Sequence, residues 1–224
     1  MLLVLCMMLT VAPISALAVL PSYIWDVLKE SDTLQVQTAV DNPFTDVSSA
    51  DAYFDDVMYV RANGFFTGTT TTTFDPDGTM TRGMFVTVLG RMAGVDAAGY
   101  AGVSDFSDVS ADQYYAPYVA WAAKHGITTG TGGGKFSPDA LIDRQQAATF
   151  LVRYFEAFDV VYFSNAAGAS EPADIADAED WARDAVSKLW RSGIMTGDGS
   201  YADPDAKATR AWMAGICRRA DINV

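Results

Sequence analysis

The chain has 224 residues, half of them hydrophobic, 12% aromatic and 19% charged, enough for a packed globular unit of one or two domains. Its 28 acidic residues outweigh 15 basic ones, giving a net charge of −13 and a pI of about 4.2, and no basic stripe marks a nucleic-acid binder. Two cysteines, Cys6 and Cys217, with only the second beyond the leader, exclude a disulfide framework and a Cys-rich zinc site.

The first 20 residues, MLLVLCMMLTVAPISALAVL, carry no charge. Ala16-Leu17-Ala18 offers a small-x-small cleavage site, so residues 1–18 are expected to be a signal peptide that directs export, the alternative being a retained anchor. Residues 19–43 form an N-terminal segment in which Ile24, Trp25, Val27 and Leu28 are spaced for a short amphipathic helix.

From there a period runs through the chain. GFFTG (64–68), GITTG (126–130) and GIMTG (193–197) share Gly-x-x-Thr-Gly, followed by Pro76, Pro138 and Pro204 and, six residues after each proline, by Arg82, Arg144 and Arg210. FTDV (44–47), FSDV (106–109) and ADI (173–175) open the three units, which span residues 44–94, 106–156 and 172–221.

Each unit is expected to be helix–loop–helix. Seven and four residues before the first glycine stand Val57 and Val60, Val119 and Ala122, Val186 and Leu189, the buried stripe of a first helix that ends on that glycine. His125, replaced by Asn63 and Ser192 in the other units, is a helix-end residue and not a general base. After the arginines, Phe85, Val88, Leu89 and Met92 recur as Ala147, Phe150, Leu151 and Tyr154, and as Met213, Ile216, Cys217 and Ala220, the apolar face of a second helix. Arg91, Arg153 and Arg219 fall near its C-terminus, where the helix dipole favours cations. No single pair hides its stripe, so an all-α fold with three pairs around one core is expected, the second helices at its centre.

Thr81, Asp143 and Thr209 fit the N-cap of these second helices, and Gln146 completes a capping box with Asp143. Arg82, Arg144 and Arg210 then occupy the first helical position, beside open backbone N–H groups, a place suited to a carboxylate or other anion. The second glycines, Gly68, Gly130 and Gly197, in the same units, would let backbone approach such a ligand. The same arginines could instead pair with an acid of a neighbouring unit, Asp46, Asp108 or Asp174, and the glycines could serve only their turns.

Phe-x-Asp-Val, the Gly-x-x-Thr-Gly loop, Phe-x-Pro and Thr-Arg together resemble the S-layer homology domain, over about residues 44 to 221. The resemblance implies a pseudo-threefold helical prism that binds secondary cell-wall polysaccharide non-covalently, in many members a pyruvylated sugar held in grooves between repeats. It maps the family's Thr-Arg arginine onto Arg82, Arg144 and Arg210, each expected to lie exposed beside a groove, and its loop glycine onto Gly68, Gly130 and Gly197. Trp121, Trp181 and Trp190 are candidates for an aromatic face against the sugar, core packing being the alternative for each. The family's Glu after the arginine is Met84, Gln146 and Trp212 here, and Pro172 and Ala202 replace phenylalanines of the third unit, so one or more grooves are expected to be silent.

The chain carries no GxSxG, HExxH or phosphate loop, and no cofactor or metal is implied. Asp75-Pro-Asp77-Gly78 has a faint likeness to a calcium loop but lacks the downstream bidentate Glu. The expectation is therefore a secreted, wall-associated binding module without catalysis. The rival reading is a scaffold at the cell surface that holds another protein and no glycan.

Overall fold

The computed structural model describes residues 41–102, 104–161, 170–197 and 199–223. The leader, its cleavage site, Cys6 and the amphipathic stretch around Trp25 lie outside these residues. Six α-helices are present among the described residues: α1 (Phe54–Ala62), α2 (Arg82–Met92), α3 (Ala116–Lys124), α4 (Arg144–Ala157), α5 (Asp180–Arg191) and α6 (Arg210–Ile222). Short 3-10 turns at Ala97–Tyr100 and Ile175–Asp177 complete them, and the only β pairing among the described residues is isolated bridges. The all-α expectation holds.

The helix limits follow from local chemistry. Thr81, Asp143 and Thr209 are extended, and their side-chain oxygens accept the backbone N–H of Met84 (3.3 Å), Gln146 (2.9 Å) and Trp212 (3.2 Å). The second helices accordingly begin at the three arginines. The capping box of α4 closes in one direction only, because Gln146 Oε1 has no hydrogen-bond partner; the side chain lines a cleft instead of turning back to Asp143. The first helices end at Asn63, His125 and Ser192, each followed by a glycine at φ +71°, +72° and +71°, the left-handed conformation that stops a helix. His125 lies in that place, 5.0 Å from the Phe158 ring and within reach of the Tyr100 hydroxyl.

The helix pairing differs from the sequence expectation. Each second helix packs chiefly against the first helix of the next unit, α2 on α3, α4 on α5 and α6 on α1, with α2 also meeting α4. The long loop inside each unit carries its two helices apart, so the apolar stripes are buried across unit boundaries. Val57, Val119 and Val186 of the first helices and Leu89, Leu151 and Cys217 of the second are fully buried in one cluster. Burying one such aliphatic side chain contributes about 1.5–3 kcal/mol.

The extended residues before the second helices close the arrangement. Met80 donates its N–H to Ala208 O, Ala208 to Ile142 O and Ile142 to Met80 O, each at 3.0 Å, a ring in which every unit is donor to one neighbour and acceptor to the other. Arg82 N to Ala140 O, Arg144 N to Ala206 O and Arg210 N to Gly78 O form a second ring that runs in the opposite sense. The third boundary, α6 on α1, joins the two ends of the described chain. Polar contacts help to hold it, with Arg218 and Asp56 at 2.9 Å and the Tyr59 hydroxyl donating to Asp221 at 2.7 Å.

Cys217 occupies the core place read for it, wholly buried and free, and desolvation pushes its thiol far above the ordinary value. It is expected to resist alkylation by iodoacetamide in the native protein and to react in denaturant. Native labelling at a rate near that of an exposed thiol would contradict this placement.

Candidate functional site: clefts at the unit boundaries

The opening acid of each unit clamps the loop that precedes the second helix. Asp46 accepts the N–H groups of Phe74 and Asp75, Asp108 those of Phe136 and Ser137, and Asp174 those of Ala202 and Asp203, at 2.7–3.1 Å. Desolvation would raise the Asp46 and Asp108 carboxyls, but these backbone donors outweigh it and hold both below the usual carboxylate value. The clamp supports an unusual turn: Asp75, Ser137 and Asp203, each just before a proline, sit at φ +60°, +59° and +51°. That turn aims the carbonyl of Phe74, Phe136 or Ala202 at the neighbouring unit.

An arginine receives each carbonyl. Arg82 Nε donates to Phe136 O (3.0 Å), Arg144 Nη1 to Ala202 O (3.0 Å) and Arg210 Nε to Phe74 O (2.6 Å). The guanidinium carbons of Arg82 and Arg210 also stand 4.9 and 4.5 Å from the ring centroids of Phe136 and Phe74, and that of Arg144 5.2 Å from Trp212.

Three readings of the sequence are corrected here. Arg82 and Arg210 are 5% and 8% exposed, not exposed beside a groove, because their guanidinium groups tie one unit to the next; the Arg144 side chain is 20% exposed and pairs with Asp203 at 2.9 Å. Nor do they pair with Asp46, Asp108 or Asp174, whose oxygens are taken by the loop. The Gly-x-x-Thr-Gly loop beside Arg82 and the one beside Arg210 belong to the next unit, not their own, since the helices pack across the boundary.

The second glycines are required by the loop itself. A Cβ on Gly68 would meet Thr73 O at 2.6 Å and Phe44 at 2.7 Å, one on Gly130 would meet Phe106 at 2.6 Å, and one on Gly197 would run into Tyr201 O. Gly130 also sits at φ +79°. Gly130→Ala is therefore expected to cost about 1–2 kcal/mol in a urea titration. An unchanged midpoint would show that the loop yields without strain.

Around the ring, a cleft opens beside the second helix of each unit. That of unit 2, about 430 Å³, is lined by Arg82, Thr129, Gly130, Gln146, Arg153 and Trp181 among others. That of unit 1, about 410 Å³, gathers Arg210, Gly68, Met84, Val88, Arg91 and Tyr114. The cleft of unit 3 is shallower, about 230 Å³, with Tyr53, Asp56, Trp212, Gly215 and Arg219. Arg82 with Gly130, and Arg210 with Gly68, are thus brought together, whereas Arg144 and Gly197 line none of these three clefts. Among the tryptophans, Trp121 is buried in the core and Trp190 packs at its edge, while Trp181 is 54% exposed on a cleft wall.

Arg91, Arg153 and Arg219, read only as helix-end cations, are the cleft residues that sequence reasoning missed. Their common register with the opening arginines, nine residues on, was the available signal. Among the described residues no group of three or more His, Cys, Asp or Glu is disposed to hold a metal, and no helix is long and apolar enough to cross a membrane.

The loop clamps, the arginine tie and the boundary clefts recur with the sequence period, and the family comparison falls on the same units. Residues 43–83 and 105–148 match the S-layer homology domain. The two matched stretches follow one another along the chain; in the third unit, Pro172 and Ala202 stand where the first two carry phenylalanines. Among similar proteins, an amylopullulanase of Thermoanaerobacterium thermosulfurigenes is 31% identical over 178 residues, 79% of this chain and 9% of the relative. An endoglucanase of a Bacillus species (strain KSM-635) is 28% identical over 179 residues, 78% and 18% of the two chains. A surface-layer 125 kDa protein of Lysinibacillus sphaericus is 27% identical over 165 residues, 72% and 13%. The matched stretch spans less than a fifth of each of these relatives.

Proposed function

We propose that the chain is a non-covalent anchoring module of the cell wall, exported and wall-associated, with secondary cell-wall polysaccharide as its ligand and a pyruvylated sugar as the recognised group. The observation that carries this reading is the boundary cleft of the S-layer homology repeats, where cationic and aromatic side chains from adjacent units meet. A guanidinium pairs with a carboxylate through two parallel N–H bonds, and an indole or phenol face packs on a sugar ring. Residues 172–221 act as a third repeat in this proposal, because Asp174, Asp203 and Thr209 repeat the clamp, turn and cap of the first two units. Arg82 with Gly130, and Arg210 with Gly68, frame two of the clefts in this proposal, and Arg144 and Gly197 hold the equivalent sequence places in units 2 and 3. Catalysis is not proposed: the relatives named as hydrolases share with this chain only a minor part of their length.

Sedimentation with purified wall sacculi tests the reading. The protein is expected to pellet with native walls and to stay in solution with walls stripped of their secondary polymer. Equal pelleting with both would move the ligand to peptidoglycan. No pelleting with either would reject anchoring and leave the scaffold reading, with residues 19–43 the place to seek a protein partner. The net charge of −13 opposes an anionic polymer at long range, so moderate salt is expected to strengthen the native-wall binding.

A further inference from the structure

The three clefts are equivalent in backbone but not in chemistry. Resting on the anchoring reading, we propose that the chain has one working cleft, that of unit 2, and that Arg153 is the cation meeting the ligand's acidic group there, so that each chain takes one ligand.

The three equivalent helix-end arginines differ in what already holds them. Arg91 donates to Phe65 O at 3.3 Å. Arg219 donates to Ile194 O at 2.8 Å and stands 4.0 Å from Asp56. Arg153 makes no hydrogen bond or ion pair among the described residues, yet lines the largest of these three clefts. A guanidinium already tied to a carbonyl or carboxylate must give up that partner to take a ligand; Arg153 need not.

The opening arginines differ in the same direction. Arg210 gives both Nε and Nη2, to Phe74 O and to Thr67 O, and Arg144 spends Nη1 on Ala202 O and Asp203. Arg82 commits only Nε, and its Nη donors hold no described partner on the wall of the unit 2 cleft. The residue two beyond the arginine sorts the clefts again. Met84 places an apolar side chain there in the first, and Trp212 in the third lies against Arg144. Gln146 gives the second a buried acceptor, Oε1, that has no partner in the protein. An acceptor left in that state costs about 1–3 kcal/mol, and a ligand hydroxyl removes the cost. Trp181 adds an exposed ring face. In the third cleft Asp56 already pairs with Arg218 and stands 4.0 Å from Arg219, so an acidic ligand would have to compete with it for these cations.

The ligand class that fits is a sugar with a carboxylate for Arg153 and Arg82, a neighbouring hydroxyl for Gln146 and an apolar ring face for Trp181. Asp143, in the extended turn ahead of α4, does not compete, because its carboxylate caps that helix and faces Lys207 at 3.7 Å.

Calorimetric titration with oligosaccharides released from purified walls decides the matter. The wild-type chain should bind one oligosaccharide, and Arg153→Gln should weaken binding by about tenfold or more with an unchanged urea midpoint. Trp181→Ala should do the same, while Val161→Ala, exposed and outside all three clefts, should leave affinity within about twofold. A wild-type chain that binds with two or three sites per chain, or an Arg153→Gln variant with wild-type affinity, overturns the inference while the anchoring reading stands. A wild-type chain that binds neither the oligosaccharides nor intact walls overturns both.

Discussion

Replacing Arg210 with alanine is expected to lower the stability of the fold by about 3–4 kcal/mol, read as the shift of a urea unfolding curve. Two carbonyls, Phe74 O and Thr67 O, lie 2.6 and 2.7 Å from its nitrogens, and its guanidinium rests on the Phe74 ring at 4.5 Å. A hydrogen bond from a charged donor contributes about 1.5–3 kcal/mol, and truncation leaves buried acceptors with nothing to accept. Burial lowers the Arg210 pKa from its ordinary value, an effect that Asp75 and Asp46 partly offset, so the group is held by its contacts and not by solvent. Arg82→Ala should cost less, about 2–3 kcal/mol, and Arg144→Ala about 1 kcal/mol, since its main side-chain partner, Asp203, is half exposed. Lysine should rescue none of them fully, because a point charge cannot span a carbonyl and a ring face together. A triple alanine variant is therefore expected to unfold, and its loss of wall binding would say nothing about ligand contacts. An Arg210→Ala midpoint within error of wild type would show that the tie between units 3 and 1 is dispensable.

The second large effect is expected at the loop clamps. Asp174→Ala should destabilise the chain by about 3 kcal/mol, because a buried carboxylate that accepts from both Ala202 and Asp203 is removed and two N–H groups are left open. Without the clamp, Asp203 also loses its reason to stay at φ +51°. The related acids give a pH signature. Asp46 and Asp108 are held below their ordinary value, so the folded state binds fewer protons than the unfolded one. Their contribution is complete above the unfolded carboxylate pKa of about 4 and is lost as pH falls through the lower folded values. Urea midpoints should stay level from pH 7 to about 5 and fall steeply below about 4. The double variant Asp46→Asn, Asp108→Asn should start lower and flatten that acid limb. A double variant with the wild-type slope would remove these two carboxyls from the account.

Much of the local structure was written in short-range spacing. Thr81, Asp143 and Thr209 had to be N-caps because their oxygens serve N–H groups three residues on, and a glycine after each first helix had to end it. The buried stripes were legible for the same reason: a helix brings residues three, four and seven apart onto one face. The capping box failed at Gln146 because the side chain had a choice between Asp143 and a cleft that does not exist until another unit arrives.

The sequence by itself determined three helix–loop–helix units, their caps, their core residues and the register of their arginines, since each depends on neighbours within about two helical turns. Only the tertiary structure decided what each arginine touches. Arg82 and Phe136 are 54 residues apart and Arg210 and Phe74 are 136 apart, and their meeting depends on the cyclic closure of the units. That closure buries the opening arginines that spacing had marked as exposed. Within their own units Arg91 and Arg219 reach the carbonyls of Phe65 and Ile194 while Arg153 stays open, a difference that no repeat pattern can encode because all three occupy the same position in it.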